Sequence, residues 1–207
     1  MKKLALAFFL ASSIPCAQAS TVLTSTFTAD NAFEEYISSS TTSISGAAIL
    51  TGNYWGSTYS SVDNLVSTSV SYLILKVTNQ GGPGAALGTF TLSDSNYSFG
   101  NGTNTISTGD TGWTMYVDSL SNAASSIVSE GANGISPWGS HAGIDSSAQW
   151  VWYYNSINTN GAGAWGDDHS TVYLVTSITP AAVPVPGAVW LMGSALLGLL
   201  GLKRKHG

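Results

Sequence analysis

The chain is poor in positive charge and in cysteine. Of its 207 residues only six are Lys or Arg, against eleven Asp or Glu, and one is cysteine. Five of the six basic residues lie at the two ends, so the stretch between them has Lys76 alone against eleven acids, a net charge of −10. We therefore expect no nucleic-acid partner, because nothing in this stretch could displace the counterions of a polyanion.

The first nineteen residues have the pattern of a secretory signal peptide. Lys2 and Lys3 precede an apolar run, and Ala17 and Ala19 form a small-x-small cleavage site. Signal peptidase would cut before Ser20 and remove Cys16, the one cysteine. The mature chain would then have no disulfide, no cysteine nucleophile and no thiolate ligand for zinc.

The C-terminal end combines prolines, an apolar run and a basic cluster. Residues 187–202 are uncharged and would span about 24 Å as a helix, just short of a ~30 Å hydrocarbon core. Lys203, Arg204 and Lys205 follow and favour the cytoplasmic side, which places the preceding chain outside. This pattern predicts one transmembrane helix over 187–202 and is also typical of an ordinary single-span anchor.

The tail over residues 180–207 resembles the PEP-CTERM sorting tail of bacteria, close to its VPLPA variant. The resemblance implies processing by an exosortase, a membrane-embedded cysteine enzyme that acts near the proline motif. It also implies a Gram-negative-type bacterium, in which the protein is anchored in the inner membrane and then passes to the cell surface or extracellular matrix. Valine replaces the usual glutamate inside the motif. The matching residues are Val183, Pro184, Val185, Pro186, Trp190, Gly193 and Ser194, followed by the basic cluster.

Residues 20–179 predict a single all-β domain, an antiparallel sandwich or jelly roll. Short β-branched and aromatic runs alternate with Gly, Asn, Asp and Ser turns, and no amphipathic helix of convincing length is present. Residues 118–146 are too long for a hairpin and predict either an excursion over one end of the sandwich or a mobile loop. The predicted strands cover 21–28, 32–38, 45–51, 58–62, 69–78, 85–92, 111–117, 147–154 and 170–179.

This domain also resembles galactose-binding-like jelly rolls, in which an acidic turn follows the first strand and a loop tryptophan comes later. Asp30 and Asn31 match the turn, Trp55 matches the loop tryptophan, and Asn79 precedes the glycine turn 81–84. The Asn-Gly hairpin usual in that family is missing after Tyr36. The resemblance implies a jelly roll whose acidic turn shapes the loop end or binds a structural cation.

Catalytic groups are sparse. Sugar hydrolysis needs two carboxylates across a cleft, and the neighbours Glu34 and Glu35 should point to opposite faces of a strand. A serine nucleophile needs a base, and the body offers only His141 and His169, with no Gly-x-Ser-x-Gly elbow. We therefore predict a protein that is not an enzyme, with a secreted polysaccharide hydrolase as the less favoured alternative.

Two groups of residues are candidates for binding. Asp30, Asp167 and Asp168 have the oxygen ligands that calcium prefers, although Asp side chains also commonly cap turns. Aromatic residues beside glycines can stack on sugar rings, whereas Trp113, Trp150 and Trp152 are predicted to be core. The aromatic candidates are Tyr54, Trp55, Tyr59, Trp138 and Trp165.

Together these patterns predict an exported bacterial protein of the cell surface or matrix. Its partners would be extracellular polysaccharide, the two processing enzymes, and the membrane until the tail is processed. It would hold glycans without catalysis or, alternatively, self-associate as a structural component of the matrix. No cofactor is required by this interpretation, and a structural calcium ion is the one candidate.

Overall fold

The computed structural model describes residues 20–65, 69–124, 126–154 and 169–181. In these residues the chain is all-β with no helix, as the sequence predicts, and it has twelve strands where nine were predicted. The strands are β1 (Thr21–Asp30), β2 (Ala32–Ser38), β3 (Leu50–Gly52), β4 (Tyr59–Leu65), β5 (Ser71–Thr78), β6 (Ala85–Leu92), β7 (Tyr97–Phe99), β8 (Thr105–Ser107), β9 (Thr114–Val117), β10 (Ile127–Ala132), β11 (Gln149–Tyr153) and β12 (Thr171–Pro180).

The strands form two antiparallel sheets, consistent with a β-sandwich. The first sheet has the order β10-β11-β6-β1-β4, and β8 also pairs with β6. The second has the order β3-β2-β5-β12-β7, and β9 also pairs with β12. The chain passes from the first sheet to the second between Asp30 and Ala32, so β1 and β2 lie in different layers.

The alternation of side chains along the strands builds the core between the sheets. Leu23 and Phe27 of β1 are buried on the inner face of the first sheet, whereas Thr24 is exposed. In the second sheet, Leu73 and Leu75 of β5 reach the same core cluster. Because β5 lies between β2 and β12, its central position was predicted correctly from the apolar residues on both of its faces.

Aromatic rings join the two layers. Phe27 of the first sheet meets Phe33 of the second edge-on, with ring centroids 4.6 Å apart. Phe33 in turn meets Tyr59 of β4 at 5.3 Å, also edge-on. Such pairs stabilise a core by about 0.5–1.5 kcal/mol beyond the burial of their area. They fix the stacking of β1 and β4 on β2.

The outer face of the first sheet is covered by residues 133–148, which we call the covering segment. Leu87 on the outer face belongs to a second buried cluster with Trp150, and Trp138 of the covering segment packs into it. The Asn133 amide holds the segment together: its nitrogen donates to the main-chain oxygens of His141 and Ile144, both at 3.1 Å. The excursion predicted for 118–146 therefore contains β10 and lies over a sheet face instead of an end.

The two terminal predictions fall on residues that are not described. The signal peptide (1–19) and almost all of the sorting tail, from residue 182 onward, lie outside the described ranges. Among the described residues no helix has the length and apolarity to cross a membrane.

Candidate functional site

Residues 53–58 connect β3 to β4 and form what we call the aromatic loop. Tyr54 and Trp55 lie side by side there, with ring centroids 5.7 Å apart and ring planes tilted by 39°. Tyr54 is 56 % exposed, and Trp55 is half-buried. Gly56 lies against the Tyr54 ring, where an added Cβ would come within 2.6 Å of it. The loop thus presents one open aromatic ring beside a second that is partly anchored.

The aromatic loop is fixed to the first sheet. The Thr28 hydroxyl donates to the main-chain oxygen of Trp55 at 3.0 Å. The Trp55 side chain packs against the buried cluster that contains Leu87 and Trp150 on the outer face of the first sheet. The amide of Ser57 donates to the carbonyl of Tyr54 at 3.2 Å and closes the turn. Because both hydrogen bonds use main-chain oxygens of the loop, a side-chain change at Tyr54 leaves them in place.

Tyr59 supports the loop from below. Its ring packs on Phe33 in the core, and its hydroxyl accepts a hydrogen bond from the amide of Asn53 at 3.4 Å. The sequence placed Tyr59 with the stacking residues. In the structure Tyr59 is half-buried and packs on the core. It therefore supports the loop that holds Tyr54 and Trp55 and does not enlarge their open aromatic surface.

Trp138 lies in the covering segment and is only 3 % exposed. Its ring stacks on Trp150 at 4.9 Å, with planes 24° apart. Its Nε1 donates to Oδ2 of Asp30 at 2.9 Å. With no open ring face, Trp138 has a structural place here and is not part of the candidate site. Trp165 lies outside the described residues.

Asp30 is buried beneath Trp138. Burial raises the pKa of its carboxyl group, and the hydrogen bond from Trp138 partly offsets this rise. Its predicted companions in a calcium site, Asp167 and Asp168, lie outside the described residues. Among the described residues no group of three or more His, Cys, Asp or Glu is placed to hold a metal. The calcium site stays a prediction.

His141 and Ser170, two of the groups that a serine nucleophile would need, make contacts with other residues. His141 is buried, its Nδ1 is 3.1 Å from the Thr58 hydroxyl, and its ring meets Trp150 edge-on. Burial lowers the pKa of His141. The Ser170 hydroxyl, next to His169, is 2.7 Å from the hydroxyl of Tyr153. Neither Ser170 nor His141 is paired with the other in the arrangement that a serine nucleophile needs.

Glu34 and Glu35 point to opposite faces of β2, as the sequence predicts. Glu34 is partly exposed and forms an ion pair with Lys76 at 2.6 Å, which lowers the pKa of the glutamate. Glu35 is fully buried between the sheets, where its Oε1 accepts a hydrogen bond from Ser25 at 2.5 Å. Its Oε2 has no hydrogen-bond partner in the part of the chain that the structure describes. Burial raises the pKa of Glu35 to about 7, the Ser25 hydrogen bond opposes this rise, and the charge of Asp63 adds to it.

The sequence did not reveal a cleft between the sheets. It has a volume of about 250 Å³, and Val151 of the first sheet and Leu174 of the second are among its lining residues. Trp113, predicted as core, meets Phe90 edge-on at 5.6 Å but also lines this cleft. Gly112, directly before Trp113, is the only local signal in the sequence of an open side at this ring.

Comparison with protein-family models, curated proteins and solved structures finds no match for this chain. The class that the fold itself defines is an all-β protein of two antiparallel sheets.

Proposed function

We propose that the chain is an exported, non-catalytic protein of the bacterial cell surface or extracellular matrix that holds polysaccharide through its aromatic loop. The observation that carries this proposal is the Tyr54–Trp55 pair, an open aromatic surface on a loop that is fixed to the sheet. Flat aromatic faces suit the apolar faces of sugar rings. A fixed loop also binds with little loss of conformational entropy.

The charge of the domain limits the partner. The stretch between the two ends carries one lysine, and that lysine is paired with Glu34. A strongly anionic polymer would meet repulsion with almost no cation to offset it. We therefore propose a neutral or weakly charged polysaccharide.

Export is supported by the sequence of the two ends. The signal-peptide pattern and the exosortase-type tail both direct the chain across the inner membrane, with release or transfer to the surface after processing. Fractionation of the producing cells tests this directly: the proposal expects processed protein at the surface or in the matrix. Intact 207-residue chain recovered from the cytosol would contradict it.

Glycan binding is tested with an array of extracellular polysaccharides. We expect the wild-type protein to be retained and the Tyr54→Ala variant to lose most of its retention. Tyr154 is also exposed, at 47 %, and lies outside the aromatic loop, so Tyr154→Ala is the matched control. Equal loss in the two variants would indicate a nonspecific effect and would contradict the assignment to this loop.

Self-association as a matrix component is the second candidate. It is favoured by β4, which forms the edge of the first sheet among the described residues and carries Val62 at 71 % exposure. An unpaired strand edge can add a strand from another copy. Concentration-dependent assembly without sugar, lost in a Val62→Lys variant, would support this candidate over glycan binding.

The finer fold, the cation and the hydrolase alternative have separate tests. We propose the galactose-binding-like jelly roll for the two sheets, on the strength of the turn at Asp30 and the tryptophan at position 55. A structural calcium ion would raise the melting temperature of chelator-treated protein, and an unchanged value in excess calcium counts against it. The hydrolase would be favoured if the protein cleaved members of a polysaccharide panel and lost this activity when a carboxylate in a cleft was changed.

A further inference from the structure

The cleft between the sheets is a second place where a ligand can enter, separate from the aromatic loop. Val151 of β11 and Leu174 of β12 contribute to it from opposite layers, so the core is not closed there. Its volume of about 250 Å³ is below the ~300–1,000 Å³ of pockets that hold drug-sized ligands. The size suits a ligand of about one ring.

One wall of the cleft is an indole held in a fixed orientation. Nε1 of Trp113 donates to the main-chain oxygen of Ser107 at 3.0 Å, and the ring meets Phe90 edge-on. These contacts fix the orientation of the indole, which is among the residues that line the cleft. The wall is therefore apolar, flat and already in position before any ligand binds.

The polar groups of the cleft are also held in place. Oε1 of Gln149 accepts from the Ser129 hydroxyl at 2.9 Å, and its Nε2 donates to the carbonyl of Ser147 at 2.8 Å. Oδ2 of Asp110 accepts from the amide of Ser107 at 2.8 Å. A carboxylate has several lone pairs and an amide nitrogen has two hydrogens, so both side chains keep hydrogen-bonding capacity for a ligand.

Backbone geometry supports the position of Gln149. Gly109 lines the cleft with a φ of +95°, and an added Cβ would lie 2.5 Å from Cγ of Gln149. Only glycine adopts this conformation without strain and leaves room for the glutamine. The close approach keeps the amide against the turn at residues 109–113.

The charge of the lining selects the ligand. Asp110 is the one charged side chain among the lining residues that the structure describes, so an anion would be repelled and a hydroxyl donor would be favoured. An apolar wall combined with fixed acceptors and an amide suits a ring that has an apolar face and several hydroxyl groups. We propose that this cleft binds one uncharged sugar residue, with Trp113 against the ring and Asp110 and Gln149 bound to its hydroxyls.

The test uses the purified full chain in mild detergent, with uncharged methyl glycosides of common hexoses and pentoses as probes. Binding is followed by ligand-observed NMR. We expect at least one glycoside to bind, and Trp113→Ala to weaken it at least about tenfold, as truncation of a central aromatic contact does. Asp110→Asn keeps an oxygen that can accept from Ser107 and should weaken binding by a smaller factor. Asp94→Asn, a change in a turn that does not line the cleft, is the matched control.

The outcomes separate this proposal from that of the aromatic loop. If no glycoside binds at concentrations up to about 100 mM, a hundred times the Kd of a 1 mM ligand, the proposal is wrong. It is also wrong if Asp110→Asn and Asp94→Asn bind equally well, a comparison that holds even if Trp113→Ala fails to fold. Glycoside binding that depends on Asp110 would support the sugar site in the cleft. If polysaccharide retention were at the same time independent of Tyr54, the polysaccharide site on the aromatic loop would be contradicted. Binding of free glycosides but not of the polymer would identify a free sugar as the ligand, and binding of both would identify a residue of the chain.

Discussion

Two buried acids lie on opposite sides of the first sheet, Asp30 of β1 under the covering segment and Glu35 of β2 between the two sheets, and they are paired in different ways. On the outer face, Asp30 accepts an indole N–H from Trp138, and the covering segment closes over both. Between the sheets, Glu35 has one hydroxyl partner, Ser25, and its second oxygen has no hydrogen-bond partner among the described residues. Elsewhere on the inner side the sheets leave an open cleft. The comparison teaches that the covering segment supplies an indole N–H to Asp30, whereas the packing of the two sheets gives Glu35 a hydrogen bond at only one of its oxygens among the described residues.

The largest expected effect is on the outer face. Trp150 is fully buried and supports both Trp138 and the ring of His141. Trp150→Ala should lower the free energy of unfolding by about 3–5 kcal/mol, because it removes a large buried ring and leaves a cavity. Urea denaturation measures the loss. Tyr154→Ala, at an exposed tyrosine, should stay within about 0.5 kcal/mol. Similar losses in both variants would mean that the covering segment does not seal this face.

The next effect comes from Glu35 between the two sheets and depends on pH. The pKa of Glu35 is raised from 4.5 to about 7, so between these values the folded protein holds a proton that the unfolded chain has released. Stability from this group is therefore complete below about pH 4.5 and falls by about 3 kcal/mol as the pH rises through 7. Glu35→Gln keeps an oxygen that can accept from Ser25 but does not titrate.

Urea denaturation from pH 4 to pH 8 checks this prediction. The wild type should lose stability as the pH rises, and Glu35→Gln should show a much flatter dependence. The pKa of Asp30 is raised as well, so a small slope of the same sign should persist in the variant. Equal slopes in the two proteins would mean that Glu35 is not the buried acid we describe.

A smaller effect tests the pairing of Asp30. Trp138→Phe keeps a ring for stacking on Trp150 but removes the N–H that reaches Asp30. We expect a loss of about 1–3 kcal/mol at pH 8, where the carboxylate is charged, and a smaller loss at pH 4. Urea denaturation at the two pH values distinguishes loss of the hydrogen bond from loss of packing. A packing effect would lower the free energy of unfolding equally at pH 4 and pH 8.

The smallest effect concerns the exposed neighbour of Glu35. The side chains of Lys76 and Glu34 in this ion pair are 33 % and 40 % exposed, so Lys76→Met should change stability by only about 0–1 kcal/mol. The change should shrink further in high salt, which screens such pairs. A salt-independent loss of several kcal/mol in the same denaturation assay would contradict the contrast between Glu34 and Glu35.

Much of the fold was predictable from the sequence because the longer strands carry a clear alternation. The bounds of β2 and β6 agree with the prediction, since Gly, Asn or Ser turns flank both of them. The three-residue strands β7 and β8 are too short to show a period. β10 was missed because it is rich in small residues and contains a bulge between Ser129 and Gly131.

The candidate site was predictable only in part. Tyr54 and Trp55 stand among turn residues, and the structure leaves Tyr54 open. Trp138 has similar neighbours in sequence but is buried, because it meets Asp30, a residue 108 positions away. The cleft likewise depends on residues from β10, β11 and β12. Contacts over such distances leave no local pattern that a single sequence can display.

The most direct test of the central claim is electrophoresis of the protein in a native gel that contains polysaccharide from the producing cells. We predict that the polymer slows the wild-type protein and Tyr154→Ala alike, and that Tyr54→Ala migrates as it does without polymer. Retardation of all three to the same extent, or of none, would contradict the claim that an open aromatic pair on a fixed loop holds the glycan.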